Sequence, residues 1–151
     1  MKEFNSVDDI LDFAIINEQQ AVDFYKALAL RTNNEDMRQT FEKFAVEEIG
    51  HKAKLTKIKE EKIFTAGKEV IQDLKLSDYV DYVKPSDDMS YQDALILAMK
   101  REKSAFKLYI NLATKTQNKG LQNLFLQLAQ EESKHKLMFE IEYDEVILKE
   151  N

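Results

Sequence analysis

The sequence predicts an all-α protein, a four-helix bundle made of two repeated helical hairpins joined by a long crossover. Three observations predict it. Three glycines and one proline in 151 residues leave little material for the turns of a β architecture, whereas the helix formers Leu, Ala, Glu, Lys and Gln are abundant. Four stretches place apolar residues at alternating steps of four and three, the spacing of a bundle seam. The second half of the chain repeats the first at an offset of 84 residues, without a gap. A single domain over residues 1–151 is expected, with repeats at about 6–63 and 90–148 and a crossover at about 64–89.

The first helix is expected to start at Ser6, an N-cap with Asp9 three residues on, and to run to about Leu30. Its seam is Val7, Leu11, Ala14, Glu18, Ala21, Tyr25 and Leu28. After a polar break at Arg31 to Asn34, the second helix is expected to reach about Ile63, with seam Met37, Phe41, Phe44, Glu48, His51, Leu55 and Ile58. Between Phe64 and Met89 the pattern weakens around Gly67, Pro85 and Asp87–Asp88; Val70, Ile71, Leu74 and Leu76 suggest a short helix there. A connection this long suits a crossover along the bundle, so the third helix should start at the same end as the second. Ser90 and Asp93 repeat Ser6 and Asp9, and open a seam of Tyr91, Leu95, Ala98, Glu102, Ala105, Tyr109 and Leu112. A turn around Asn118–Gly120 leads to the fourth seam, Leu121, Phe125, Leu128, Glu132, His135 and Phe139.

Each seam is apolar except for Glu18, Glu48 with His51, Glu102, and Glu132 with His135. Residues three apart on a helix are separated by about 300° of turn and about 4.5 Å of rise, so each Glu-x-x-His presents a carboxylate and an imidazole on one face. The chain has only two histidines, and each closes such a pair. An unpaired buried ion costs several kcal/mol, and four carboxylates in one core would also repel one another. Metal removes both difficulties. Two divalent ions neutralise four glutamates with both histidines uncharged, and two trivalent ions with a bridging oxide balance equally. The expected metal ligands are therefore Glu18, Glu48, His51, Glu102, Glu132 and His135, holding two metal ions. Carboxylate and imidazole donors accept iron, manganese or zinc.

Other residues keep two readings each. Tyr25 and Tyr109, two turns past the seam glutamates, either hydrogen-bond the ligands or are core tyrosines with satisfied hydroxyls. Glu47 and Glu131 point about 100° away from their neighbouring ligands, toward solvent or toward a ligand's outer side. Lys52, Lys54, Lys57 and Lys59 form a wet helix face or a docking patch for an acidic electron donor. The small Ala21 and Ala105 leave space for a channel to the metals.

Composition excludes several classes. A net charge of −6 provides no basic footprint for nucleic acid. With no cysteine there is no disulfide framework and no thiolate metal site. Asp8, Asp9 and Asp12 interrupt the opening apolar residues, which argues against a secretory signal or a membrane span, so a cytoplasmic location is expected.

The motifs AIINEQQAVDFY, FAVEEIGH, AMKREKSAFKLY and LAQEESKH, covering nearly all of the chain except the crossover, resemble the rubrerythrin branch of the ferritin-like superfamily. Its di-iron site takes a Glu from each of two helices and a Glu-x-x-His from the other two. The resemblance implies a ferritin-like bundle, two iron ions held by the six residues above, and Glu48 and Glu132 as the bridging carboxylates. Two departures separate this chain from rubrerythrins proper. It carries no Cys-rich rubredoxin-like portion, and it has Ala105 where the family has a further Glu ligand. An erythrin-like stand-alone domain, catalytic through its metals, is the nearer comparison. The resemblance implies reduction of hydrogen peroxide or O₂ with electrons from a separate donor such as a rubredoxin-like protein. Oxidation and storage of ferrous iron as in bacterioferritin, or oxygenation of an organic substrate, are the alternatives, and a homodimer is expected.

Overall fold

The computed structural model describes residues 4–65, Leu74, Tyr79 and 88–150. Among them the chain forms four helices and no strand: α1 Val7–Arg31, α2 Glu35–Glu60, α3 Tyr91–Lys115 and α4 Lys119–Glu150. Ser6 caps α1 by accepting from the Asp9 amide at 3.1 Å, and Ser90 caps α3 by accepting from the Asp93 amide at 3.0 Å. Asn34 caps α2 in the same way through the Met37 amide, at 3.2 Å. Each cap satisfies one of the amides left open at a helix start.

Two helix boundaries differ from expectation. The second helix ends at Glu60 rather than near Ile63, because Lys62 adopts a left-handed backbone with φ of 51°. The Lys62 amide then bonds the Lys59 carbonyl at 3.2 Å, and the Ile63 amide bonds the Ile58 carbonyl at 3.1 Å, which closes the helix end. The fourth helix begins at Lys119, so Gly120 lies in its first turn rather than in the connecting turn. Asn118 is what starts it, accepting from the Leu121 amide at 3.0 Å.

α1 packs along α2, and α3 along α4, as two antiparallel hairpins. Side chains fix how the hairpins face each other. Tyr25 reaches Glu102 and Tyr109 reaches Glu18, so α1 and α3 are antiparallel. His51 meets Glu131 and His135 meets Glu47, so α2 and α4 are antiparallel as well. It follows that α2 and α3 run in the same direction, as a crossover connection requires. The ring contact between Phe41 and Tyr91, near the starts of those two helices, agrees at 6.3 Å.

The expected short helix in the crossover lies outside the described residues apart from Leu74. Leu74 and Tyr79 are both buried. Tyr79 is seated on α3, its carbonyl accepting from Ser104 Oγ at 2.7 Å and its hydroxyl accepting from Asn111 Nδ2 at 2.6 Å. No helix among the described residues is long and apolar enough to cross a membrane.

The apolar core comes in two parts. One surrounds Leu11, Leu55, Leu112 and Phe125; the other surrounds Tyr25, Phe41, Leu95 and Phe139. Between them, at the waist of the bundle, lie Glu18, Glu48, His51, Glu102, Glu132 and His135, none more than 2% exposed. The seams predicted from spacing are buried along nearly their whole length, with Val7, Met37, Tyr91 and Ala105 partly exposed.

Candidate metal centre

All six polar seam residues come together in one layer. Glu18, Glu48, His51 and Glu132 offer ligand atoms within 4.8 Å of one another, and so do Glu48, Glu102, Glu132 and His135. Glu48 and Glu132 belong to both groups. The layer follows the sequence repeat. His51 Nδ1 lies 2.9 Å from Glu132 Oε1, and His135 Nδ1 lies 2.9 Å from Glu48 Oε1. His51 Nδ1 is also 3.5 Å from Glu18 Oε2, and His135 Nδ1 is 3.5 Å from Glu102 Oε1. The two imidazoles are nearly parallel at a centroid distance of 6.5 Å. Phe44 stacks on the His135 ring at 4.0 Å.

Whether these residues fit a metal can be judged from their unsatisfied atoms. Glu18 Oε2, both oxygens of Glu48, Glu102 Oε2, Glu132 Oε1 and Nδ1 of both histidines are buried without a hydrogen-bond partner. Buried polar atoms normally have partners, and here most of those without one converge on a single point. Oxygen and neutral-imidazole donors in this number suit a divalent transition metal such as iron. The cluster fits a di-iron site.

The surrounding residues orient these donors. Tyr25 donates its hydroxyl to Glu102 Oε1 and Tyr109 donates to Glu18 Oε1, each across the hairpin boundary. The second oxygen of each glutamate is thereby left facing inward. Both tyrosines thus take the ligand-bonding role of the two their positions allowed. Nε2 of His51 pairs with Glu131, and Nε2 of His135 with Glu47. A proton on Nε2 donated outward leaves the Nδ1 lone pair facing the cluster, which is the tautomer a metal needs. Glu47 and Glu131 thus back the histidines while remaining about a third exposed, at 35% and 31% of their side chains. Of the lysines, Lys52 donates to Gln19 at 2.8 Å and Lys59 bonds Asp12 at 2.5 Å, so two of the four pin α2 to α1.

Without metal the layer must hold protons. Burial raises the pKa of Glu48 and Glu102, and the neighbouring carboxylates of Glu132 and Glu18 raise both further. Burial opposes charge on His51, but Glu132, Glu18 and Glu48 outweigh it and push its pKa up. Burial likewise opposes charge on Glu132, yet the His51, Glu102 and Glu48 groups close beside it bring its pKa down to about 2. Burial and neighbouring charge thus favour protons on Glu48, Glu102 and His51 and an ionised Glu132. Burial, and then the charge of Glu18, keep the Tyr109 phenol protonated.

A four-helix bundle crossed at its waist by a buried layer of carboxylate and imidazole donors is a ferritin-like fold. The chain belongs to the rubrerythrin family, whose model matches residues 9–143. It is similar to a hypothetical protein from Pyrococcus furiosus, with 26% identity over 89% of this chain and 86% of that one, at a TM-score of 0.70. It is also similar to a structure from Thermotoga maritima described as a candidate ferritin-like diiron-carboxylate protein. There the identity is 20%, over 97% of this chain and 99% of that one, and the TM-score is 0.78. No curated protein matches the sequence.

Two predictions follow from the electrostatics and the histidine backing. Glu48, Glu102 and His51 all have folded pKa values above their unfolded ones, so the stability they contribute is lost as pH rises. Glu132 acts only below the ordinary carboxylate range. The metal-free protein should therefore melt at progressively lower temperature between about pH 5 and about pH 8. Metal displaces those protons, so the gap between metal-loaded and metal-free melting temperatures should widen over the same range. Parallel profiles, followed by calorimetry, would show that the layer holds no such protons. Replacing both backing carboxylates, Glu47→Ala with Glu131→Ala, should weaken metal binding by about 10- to 100-fold in a chelator competition. Unchanged affinity would mean that the histidines are oriented without them.

Proposed function

We propose that this protein is a di-iron oxidoreductase that reduces hydrogen peroxide, or O₂, with electrons from a separate donor. The observation that carries the reading is the pair of overlapping four-donor groups, fully buried, sharing Glu48 and Glu132. One iron would be held by Glu18, Glu48, His51 and Glu132, and the other by Glu48, Glu102, Glu132 and His135, with the two shared glutamates bridging. Bound iron supplies the two electrons that, with two protons, convert one peroxide into two waters. The protein's own part is to neutralise, orient and exclude solvent. Four glutamates balance two divalent ions, so the reduced centre carries no net charge into the core. Tyr25 and Tyr109 hold Glu102 and Glu18 in one orientation, and their protonated hydroxyls sit beside the donor layer. The outer carboxylates of Glu47 and Glu131 connect the histidines to the surface.

These 151 residues hold no cysteine to build an iron–sulfur centre, and the donor proposed for the reaction is a cysteine-ligated iron centre of rubredoxin-like type outside them. Ala105 stands where rubrerythrins proper have a further glutamate, so the chain offers no additional carboxylate there, and the same six residues would hold iron in both oxidation states. The expected outcome is measured by stopped-flow mixing of the anaerobically reduced, iron-loaded protein with each oxidant in turn. Peroxide should reoxidise the centre faster than O₂ at equal concentration, and Ala105→Glu should raise the peroxide rate more than the O₂ rate. Peroxide reacting no faster than O₂ would replace this reading with an oxidase or iron-handling role.

A further inference from the structure

A cavity of about 250 Å³ opens between α1 and α3 and ends on Glu18, Glu48, Glu102 and Glu132. We propose that it binds a small, uncharged organic molecule, an apolar body about the size of one aromatic ring, directly beside the donor layer. The cavity's inner end, between the four carboxylates, is where the two metal ions of the proposed function would lie, and peroxide has two heavy atoms, so the outer part between α1 and α3 is left over. A water occupies roughly 30 Å³ of liquid, so the cavity has room for about eight, and an apolar cavity of about 150 Å³ already accepts benzene. Pockets for drug-sized ligands start at about 300 Å³, which limits the occupant to one ring or a short branched chain.

The walls decide the chemistry. Phe13, Ile16, Ala21, Ala105 and Leu108 line the body of the cavity, and Tyr79 from the segment between the hairpins contributes to its lining. Water against those apolar side chains lacks hydrogen-bond partners, so an apolar group that displaces it there gains affinity. With four glutamates balanced by two divalent ions the donor layer offers no net counter-charge to an ion, and an unpaired buried ion is costly, so the occupant is uncharged. Gln20 and Arg101, also in the lining, offer amide and guanidinium donors to one polar substituent. Arg101 is held there over the Phe24 ring, at 5.6 Å.

Position supports a built site. The cavity lies on the boundary between the two sequence repeats, yet its wall departs from their symmetry. Asn17 corresponds to Arg101 in the repeat and Gln20 to Ser104, while Tyr79 has no counterpart. What the repeats do share there is small size, alanine at both 21 and 105, where any longer side chain would occupy the space. Most of the wall comes from α1 and α3, so its shape is set largely by the bundle itself before a ligand arrives.

The test uses toluene as the probe and zinc-loaded protein, which is diamagnetic, observed by NMR. Toluene protons should show cross-relaxation to the methyl groups of Ala21 and Ala105. Its affinity should fall at least tenfold in Ala105→Leu and stay unchanged in Ala53→Leu, on the exposed outer face of α2. Should Ala105→Leu fail to fold, Ala21→Leu and the wild-type cross-relaxation pattern decide. Toluene that binds without contacting these methyls, binds equally to the filled variant, or does not bind up to its solubility overturns the proposal. Zinc content, measured on the same samples, reports separately on the metal reading; if no zinc is held, the same titration on metal-free protein still reads the cavity.

Discussion

The structure depends on one unfavourable act, the burial of four carboxylates and two imidazoles in a single layer of a helical core. Left alone, such a layer destabilises the fold, because each buried charge costs several kcal/mol and like charges add repulsion. The chain surrounds the layer with every compensation side chains can supply. Two tyrosines bond two of the carboxylates, two outer glutamates bond the imidazoles, and burial shifts Glu48 and Glu102 toward their neutral forms. The donor atoms at the centre still lack partners. That residue of unsatisfied chemistry is what a pair of cations would complete.

The same layer organises the packing. It splits the apolar core into two ends, so each end must be stable enough to hold the waist together. Aromatic contacts concentrate at the end containing Phe41, Phe44 and Phe139, where Tyr25 lies 5.3 Å from Phe139. Within a hairpin the two helices pack extensively on each other. Between hairpins the described polar contacts include the crossed pairs Tyr25–Glu102, Tyr109–Glu18, His51–Glu131 and His135–Glu47. The residues that orient the donors therefore also set the register of the two repeats. Stability and site geometry are coupled through them, so a change at Tyr25 or Glu131 acts on both.

Much of this was legible in the sequence for a physical reason. A bundle core has a period close to 3.5, and a polar residue placed on that period has to be buried. Glu18, Glu48, His51, Glu102, Glu132 and His135 break four otherwise apolar seams, and the repeat places them at equal height. The direction of α3 followed from the length of the crossover alone. Other features depend on tertiary contacts that periodicity does not carry. Glu47 and Glu131 lie off the core direction, and only the approach of α2 to α4 turns them onto the opposite hairpin's histidine. Glu142 continues the fourth seam as a buried residue because Tyr91, from α3, donates to it at 2.6 Å. The end of α2 turned on a left-handed lysine rather than a glycine, so no residue type signalled it. The alanines at 21 and 105 suggested space, but its volume and walls come from how α1 and α3 sit together.

The central claim is that this buried layer is a two-metal site. The most direct measurement is the iron content of anaerobically reconstituted, desalted protein, for the wild type and for the His51→Ala, His135→Ala double variant. The account predicts two ions per chain in the wild type, with each single histidine variant losing occupancy to a similar extent and the double variant losing most of it. Unchanged iron in the double variant would contradict it.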